Sequence, residues 1–309
     1  MEQIKRRSLL QAGAATAVGL ALGRQEAEAE DAPSFSFVHI TDTHIQPELR
    51  ATFGVRKAFD AINALPGKPD FGLVGGDLVM DAALVDLERA KLVYDLWERE
   101  AEALKFPLHY SIGNHDVFDL ASTGKPGAQN PNYGKGLWQS RLKLANRYSS
   151  FEHKGWLFVT LDSVGITPDG KWDGFLDKEQ MTWLDDLLRK TPKTKPIVFL
   201  THFPIFTIFS LYTSGTTSAL PPGLVVKNGL EFFNLIQGYN VKAVFQGHTH
   251  VLEECSYLGA KYITGGAVCG EWWKGKRLGV HSEGFIVATC RGEELSWKYV
   301  DYGWKAEKA

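Results

Sequence analysis

Cysteine is scarce in this chain: three residues in 309, and Cys255, Cys269 and Cys290 all fall in the C-terminal third. An odd count that small excludes a disulfide framework. None of the three has a neighbour at zinc-ligand spacing. They read mainly as small buried residues, with a single disulfide as the alternative in an oxidising compartment. Excess charge is also missing, since 34 Lys and Arg face 36 Asp and Glu for a formal net charge of −2. Without a positive field to collect phosphate backbones, an obligate nucleic-acid partner is disfavoured. Repeats, coiled-coil heptads and low-complexity tracts are absent, and no apolar run reaches the roughly twenty residues of a spanning helix. What is present is 44% hydrophobic and 12% aromatic content, enough to bury a full core.

The N-terminus departs from the rest. Lys5-Arg6-Arg7-Ser8-Leu9-Leu10 opens a run of Ala, Gly, Leu and Val through Gly23, and Ala27-Glu28-Ala29 offers a small-residue cleavage site. Residues 1–29 are therefore read as an export signal of twin-arginine type. That reading makes the twin-arginine machinery a transient partner, places the mature chain in the periplasm or outside the cell, and leaves no permanent membrane span after processing. Residues 30–34 read as a linker, 35–303 as one domain and 304–309 as a tail.

Within the domain, short β-rich runs alternate with helical ones, which favours an α/β fold. Strands are expected at 36–41, 71–75, 108–112, 156–162, 197–201, 241–246, 261–264, 284–289 and 295–300. Helices are expected at 54–65, within 84–105, from Asp177 with Gln180 as a capping box to Arg189, and at 229–236. Five of the strand-like runs finish at Asp, Asn or His, and ligands in α/β sheets sit beyond the carboxyl ends of strands.

Those ends carry Asp42-Thr43-His44, Gly76-Asp77, Gly113-Asn114-His115-Asp116, His202 and Gly247-His248-Thr249-His250, taking five of the nine histidines. Each motif alone has a bland reading as a cap, a turn or a satisfied core histidine. Five together, with carboxylates that can bridge, a neutral Asn oxygen and four imidazoles beside His115, point to bound cations. The mixed nitrogen and oxygen donors suit Zn, Fe or Mn better than Ca or Mg, and leave the choice among the three open.

The ordered series D-x-H, GD, GNHD, H, GHTH resembles the calcineurin-like metallophosphoesterase superfamily from about Phe35 to Val300, and the stretch from Asp177 through Val-Phe-Leu-Thr-His202-Phe-Pro resembles that family's entry into its third metal block. The resemblance implies a two-sheet β-sandwich flanked by helices. It also implies two metal ions: Asp42, His44 and His250 on one, Asn114, His202 and His248 on the other, and Asp77 bridging. Hydrolysis of phosphate esters would follow, because two cations lower the pKa of a shared water and clamp the phosphoryl oxygens. His115, which has no obvious place in either coordination set, is assigned to transition-state stabilisation or leaving-group protonation. Asp81 and Asp116 are read as supporting it; Asp116 either orients His115 or caps the following loop. Purple acid phosphatases carry a metal-binding Tyr three residues after the bridging Asp, and this chain has Met80 there. Gly76-Asp77-x-x-x-Asp81 resembles bacterial cyclic-nucleotide phosphodiesterase-like members.

Small phosphomonoesters or phosphodiesters are thus the expected substrates, with 3′,5′-cyclic nucleotides as the runner-up. The competing class is a non-catalytic metal- or phosphate-binding module. Trp272, Trp273 and Lys274 combine two indoles with a cation and are candidate substrate contacts, with core packing as the alternative for both indoles. Metal identity, natural substrate and oligomeric state are not fixed by the sequence.

Overall fold

A computed structural model describes residues 34–307. The proposed export signal and nearly all of the linker lie outside the described residues. The strands are β1 (Ser34–Ile40), β2 (Phe71–Val74), β3 (Leu108–Tyr110), β4 (Ser149–His153), β5 (Trp156–Thr160), β6 (Val164–Ile166), β7 (Trp172–Gly174), β8 (Ile197–Leu200), β9 (Val241–Gln246), β10 (Leu252–Tyr257), β11 (Ala260–Gly265), β12 (Gly284–Arg291) and β13 (Glu294–Asp301). The α-helices are α1 (Ala51–Asn63), α2 (Leu87–Ala101), α3 (Gly136–Arg141), α4 (Lys178–Arg189), α5 (Phe209–Thr213) and α6 (Gly229–Ile236).

Two sheets carry the domain. One has the order β13-β12-β1-β2-β3, the other β10-β11-β9-β8-β5-β4, and β6 with β7 forms a separate hairpin. The residues of β1 explain the layering. Side chains alternate across a strand, so Phe35 and Phe37 face the second sheet while Val38 and Ile40 join the core beneath the helices. Phe37 meets Phe158 and Phe245 of the opposite sheet edge-on, with ring centroids 5.6 and 5.5 Å apart. On the outer side, Val55, Ala58, Phe59 and Ile62 of α1 make a buried stripe at helical spacing. The expected sandwich flanked by helices is the architecture found.

Topology then places the site. β1, β2 and β3 run parallel in one sheet, and β8 and β9 run parallel in the other. Their carboxyl ends lead directly into Asp42, Asp77, Asn114, His202 and His248. His39, the last inward-facing residue of β1, is fully buried and reaches Gln246 O at 3.1 Å and Leu73 O at 3.3 Å, tying the two sheets just below those ends.

Several expectations change. The capping box at α4 is half formed: Asp177 accepts from Gln180 N at 2.9 Å, but the Gln180 amide turns inward and bonds both backbone groups of Asp162 at 2.7 Å. The tail set at 304–309 begins inside the core, because Trp304 is buried and packs edge-on against Trp273 at 5.2 Å. Its indole closes that end of the core. All three cysteines are free and buried, so the disulfide alternative falls away. No helix among the described residues is long and apolar enough to cross a membrane.

Candidate metal centre

Five of the seven candidate ligands hold a left-handed backbone: Asp42 (φ 53°), His44 (39°), Asp77 (51°), His248 (72°) and His250 (60°). Such a conformation costs a side-chain-bearing residue on the order of 1–3 kcal/mol and persists only where the surroundings over-determine it. Here it turns each side chain off its strand end into one shared space. His44 Nε2 lies 3.0 Å from His250 Nε2, and His250 Nε2 lies 3.4 Å from Asp42 Oδ1. On the other side His202 Nε2 lies 3.1 Å from Asn114 Oδ1. Asp77 Oδ2 stands between the two sets, 3.5 Å from His44 Nε2 and 3.2 Å from His202 Nε2. Asp77, His202 and His248 also form one group with ligand atoms within 4.8 Å of one another, and His44, Asp77 and His115 form another.

The far nitrogen of each histidine settles which atom faces inward. A carbonyl can only accept, so the ring nitrogen beside it carries the proton. His202 Nδ1 donates to Gly75 O at 2.8 Å, His250 Nδ1 to Gly270 O at 2.6 Å, and His248 Nε2 to Gly223 O at 2.9 Å. His202 and His250 therefore turn Nε2 to the centre, and His248 Nδ1, as the atoms that would bind a cation in the neutral ring. Asp42 is held by Thr41 Oγ1 at 2.7 Å and by His248 N at 3.0 Å.

Charge in the metal-free site is shared among buried groups. Burial would raise the carboxyls, but the His250 charge and hydrogen bond hold Asp42 below its usual range, and His202 and His115 hold Asp77 well below it. Burial lowers His44 far down and, with His202, takes His248 to about 3. His202 goes the other way, to about 9, because Asp77 outweighs its burial. His250 is likewise raised, with Cys269 and Asp42 overcoming burial. Each raised imidazole faces a carboxylate, and a cation bound there would compete with a proton.

The glycines of the motifs are there for space. A Cβ on Gly247 would lie 2.3 Å from Thr41 Oγ1 and 2.7 Å from Asp42 Oδ2.

The sequence profile described as Calcineurin-like phosphoesterase matches residues 35–252, more than half of the chain. This chain belongs to that family. A protein named probable cyclic nucleotide phosphodiesterase from Ruthia magnifica subsp. Calyptogena magnifica is 24% identical over 240 residues, spanning 75% of this chain and 85% of that one. Serine/threonine-protein phosphatase CPPED1 of Bos taurus is 24% identical over 273 residues, spanning 82% and 74%. The crystal structure of a dimetal phosphatase from Danio rerio shares the fold with a TM-score of 0.62 at 16% identity, over 87% of this chain and 96% of that one. The phosphoesterase is accordingly a hydrolase of phosphoric ester bonds.

The donor set fits cations on its own geometry. Nitrogen and oxygen ligands about 2.0–2.2 Å from one ion sit roughly 3.0–3.5 Å from each other at tetrahedral or octahedral angles. The five ligand-to-ligand distances above, 3.0 to 3.5 Å, fall in that window.

Around this centre the phosphoesterase places the other candidates unequally. His115 is partly exposed; its backbone N–H donates to Asp77 Oδ1 at 2.8 Å, its ring meets His44 edge-on at 4.7 Å, and its Nδ1 faces Asp81 Oδ1 at 3.7 Å. Asp116 neither touches the His115 ring nor caps the loop after it. Its carboxylate accepts from Leu78 N at 2.8 Å, Val79 N at 3.3 Å and Gly113 N at 2.9 Å, stapling the Asp77 loop to the Asn114 loop. Asp116→Ala would strand three buried N–H groups at about 1–3 kcal/mol each. A loss of about 3 kcal/mol or more in thermal or denaturant unfolding is expected, with partial recovery in Asp116→Asn; unchanged unfolding would refute the staple.

Trp272 lies over the centre, its ring 4.7 Å from His250 and 6.1 Å from His44, under the Arg277 guanidinium. Trp273 does not reach the rim. It is 2% exposed, its Nε1 donates to His44 O at 3.0 Å, and it fills the space that Gly54 leaves open, so it positions a ligand from within the core. Lys274 is exposed and makes no side-chain hydrogen bond or ion pair among the described residues. Sequence reasoning missed Cys269, whose sulfur lies 3.7 Å from His250 Nδ1, the Gly223 carbonyl, and Trp172. None of the three stands in a motif, so no local signal marked them.

Proposed function

We propose that this phosphoesterase hydrolyses small phosphomonoesters or phosphodiesters with two cations of Zn, Fe or Mn, one held by Asp42, His44 and His250 and the other by Asn114, His202 and His248. Asp77 is the shared ligand. The observation that carries this reading is the single oxygen Asp77 Oδ2, within 3.5 Å of an imidazole from each set. When bound, the cations supply an attacking water made acidic near neutral pH and offset the charge on the phosphoryl oxygens.

The chain's own residues do the rest. Three backbone carbonyls fix the tautomers of His202, His248 and His250, so the ligand atoms need no rearrangement on loading. His115 turns Nδ1 toward Asp81 Oδ1 at 3.7 Å, which leaves Nε2 to give a proton to the departing ester oxygen. His115→Ala is therefore expected to lower kcat about 10²–10⁴-fold while metal content stays at the wild-type value; full turnover in that variant on every ester would remove the acid role. Hydrolysis of an aryl phosphate, a bis-aryl phosphate and 3′,5′-cyclic AMP by the metal-loaded protein tests the main reading. Cyclic nucleotides are the second reading, favoured by Gly76-Asp77-x-x-x-Asp81 and by the name of the Ruthia relative. A non-catalytic module would show bound metal and no turnover on any ester; the presence of all seven candidate ligands together with His115 argues against it.

The export reading rests on the Arg6-Arg7 segment and the small-residue site at Ala27-Glu28-Ala29. A mature chain beginning at Glu30 in the periplasm or medium, seen by mass measurement, is the expected product of the twin-arginine machinery.

A further inference from the structure

Trp172 belongs to no motif, yet it stands beside the group that handles the leaving alcohol. It lies on the β6–β7 hairpin, half-buried, with its ring centroid 5.8 Å from that of His115 and tilted 39° to it. His115 therefore touches a candidate ligand, His44, and an indole. An alcohol taking a proton from His115 must bring its oxygen within about 3 Å of the ring nitrogen. The carbon group on that oxygen then comes within van der Waals reach of Trp172.

The hairpin that carries the indole is tied to the metal-centre loops. Gly223 N donates to Asp173 Oδ1 at 3.2 Å, next in sequence to Trp172, while Gly223 O accepts from His248 Nε2 at 2.9 Å. Lys227 N donates to Gly174 O at 2.9 Å, and β7 lies so close to this segment that a Cβ on Gly174 would be 2.1 Å from Val225 O. One short segment, 223–227, thus supports both a metal-centre histidine and the hairpin that carries the indole. A fixed flat apolar surface selects its partners by shape and by ring stacking.

We propose that Trp172 is a specificity-determining residue: it packs on the leaving alcohol and favours phosphate esters whose alcohol carries a flat aromatic ring over those of saturated alcohols. The proposal rests on His115 as the proton donor in phosphate ester hydrolysis.

The test compares 2-phenylethyl phosphate with 2-cyclohexylethyl phosphate, whose alcohols are matched in acidity and bulk and differ in flatness. The metal-loaded full chain is expected to prefer the aromatic ester about tenfold in kcat/KM, chiefly through KM. Trp172→Leu should bring that ratio close to one, and Trp172→Phe should keep part of it, with metal content unchanged in both. Calorimetric binding of the two corresponding phosphonates should give the same ratio without turnover. A wild-type ratio near one, or a ratio that survives in Trp172→Leu, overturns the proposal while leaving ester hydrolysis intact. Should Trp172→Leu lose its metal, the wild-type ratio and Trp172→Phe still decide. Hydrolysis of neither ester by protein with metal bound would remove the phosphoesterase mechanism, and the proposal with it.

Discussion

Asp77→Asn is expected to lower metal content from two ions per chain to one or fewer, and kcat/KM by about 10³-fold or more. The side chain keeps its shape, so the substitution isolates charge. Asp77 is 1% exposed, and its Oδ2 lies 3.2 Å from His202 Nε2 and 3.5 Å from His44 Nε2. A unit charge about 4 Å from a cation is worth about 4 kcal/mol at an effective dielectric of about 20, which corresponds to roughly 10³ in an equilibrium constant, and two cations would feel it. The amide oxygen can still accept the His115 N–H that Asp77 Oδ1 now takes at 2.8 Å, so the loop should hold its form. Elemental analysis and turnover on one aryl ester check both halves. Two retained ions with normal turnover would show that Asp77 does not bridge; loss of activity with both ions retained would make it a substrate or proton-handling group instead.

Strands show in the sequence where apolar residues run together or alternate cleanly, as in β8 (IVFL) and β13 (ELSWKYVD). β9 was expected at 241–246 and is found at Val241–Gln246; β1, expected at 36–41, is Ser34–Ile40. β2 (FGLV) and β8 (IVFL) are buried apolar runs, and the Asp77 and His202 that follow them are conspicuous because the run stops just before. β4 (Ser149–His153) and β10 (Leu252–Tyr257) were missed because both are edge strands of mostly polar composition: β4 has no buried position and β10 buries only Glu253 and Cys255, so the hydrophobic signal is weak. The hairpin with Trp172 has strands of three residues, too short for any period to show. Side-chain roles failed for a different reason. Trp273 bonds to the backbone of His44, 229 positions away, and Asp116 bonds to loops 37 and 38 positions away as well as to nearby Gly113. Such contacts are made by the fold and leave no mark in local pattern. The candidate ligands stand out in the sequence because cation chemistry demands particular residue types, whatever the fold.

Gly113→Ala is expected to cost as much activity as losing a ligand, although it removes no functional group. The backbone there is extended (φ −100°, ψ 171°), a conformation any residue adopts, so the need for glycine is spatial. A Cβ at position 113 would lie 2.1 Å from Asp77 N and 2.2 Å from Asp77 Oδ1. The first of these is backbone, pinned by the Asp116 carboxylate at the next two residues, so relief requires the whole Asp77 loop to move. A displacement of about 1 Å at a reacting centre costs about 10²-fold in rate even when every group is present. Here the displaced group is also the proposed shared ligand, so a fall of about 10³-fold or more in kcat/KM is expected, together with reduced metal content and about 1–3 kcal/mol of overpacking strain in unfolding. Gly67→Ala is the matched control, since nothing lies within 4 Å of its added methyl group, and it should behave as the wild type. If Gly113→Ala kept both ions and full turnover, the two loops would be more yielding than the Asp116 staple implies, and the close packing of GNHD against GD would not be what holds the candidate centre in register.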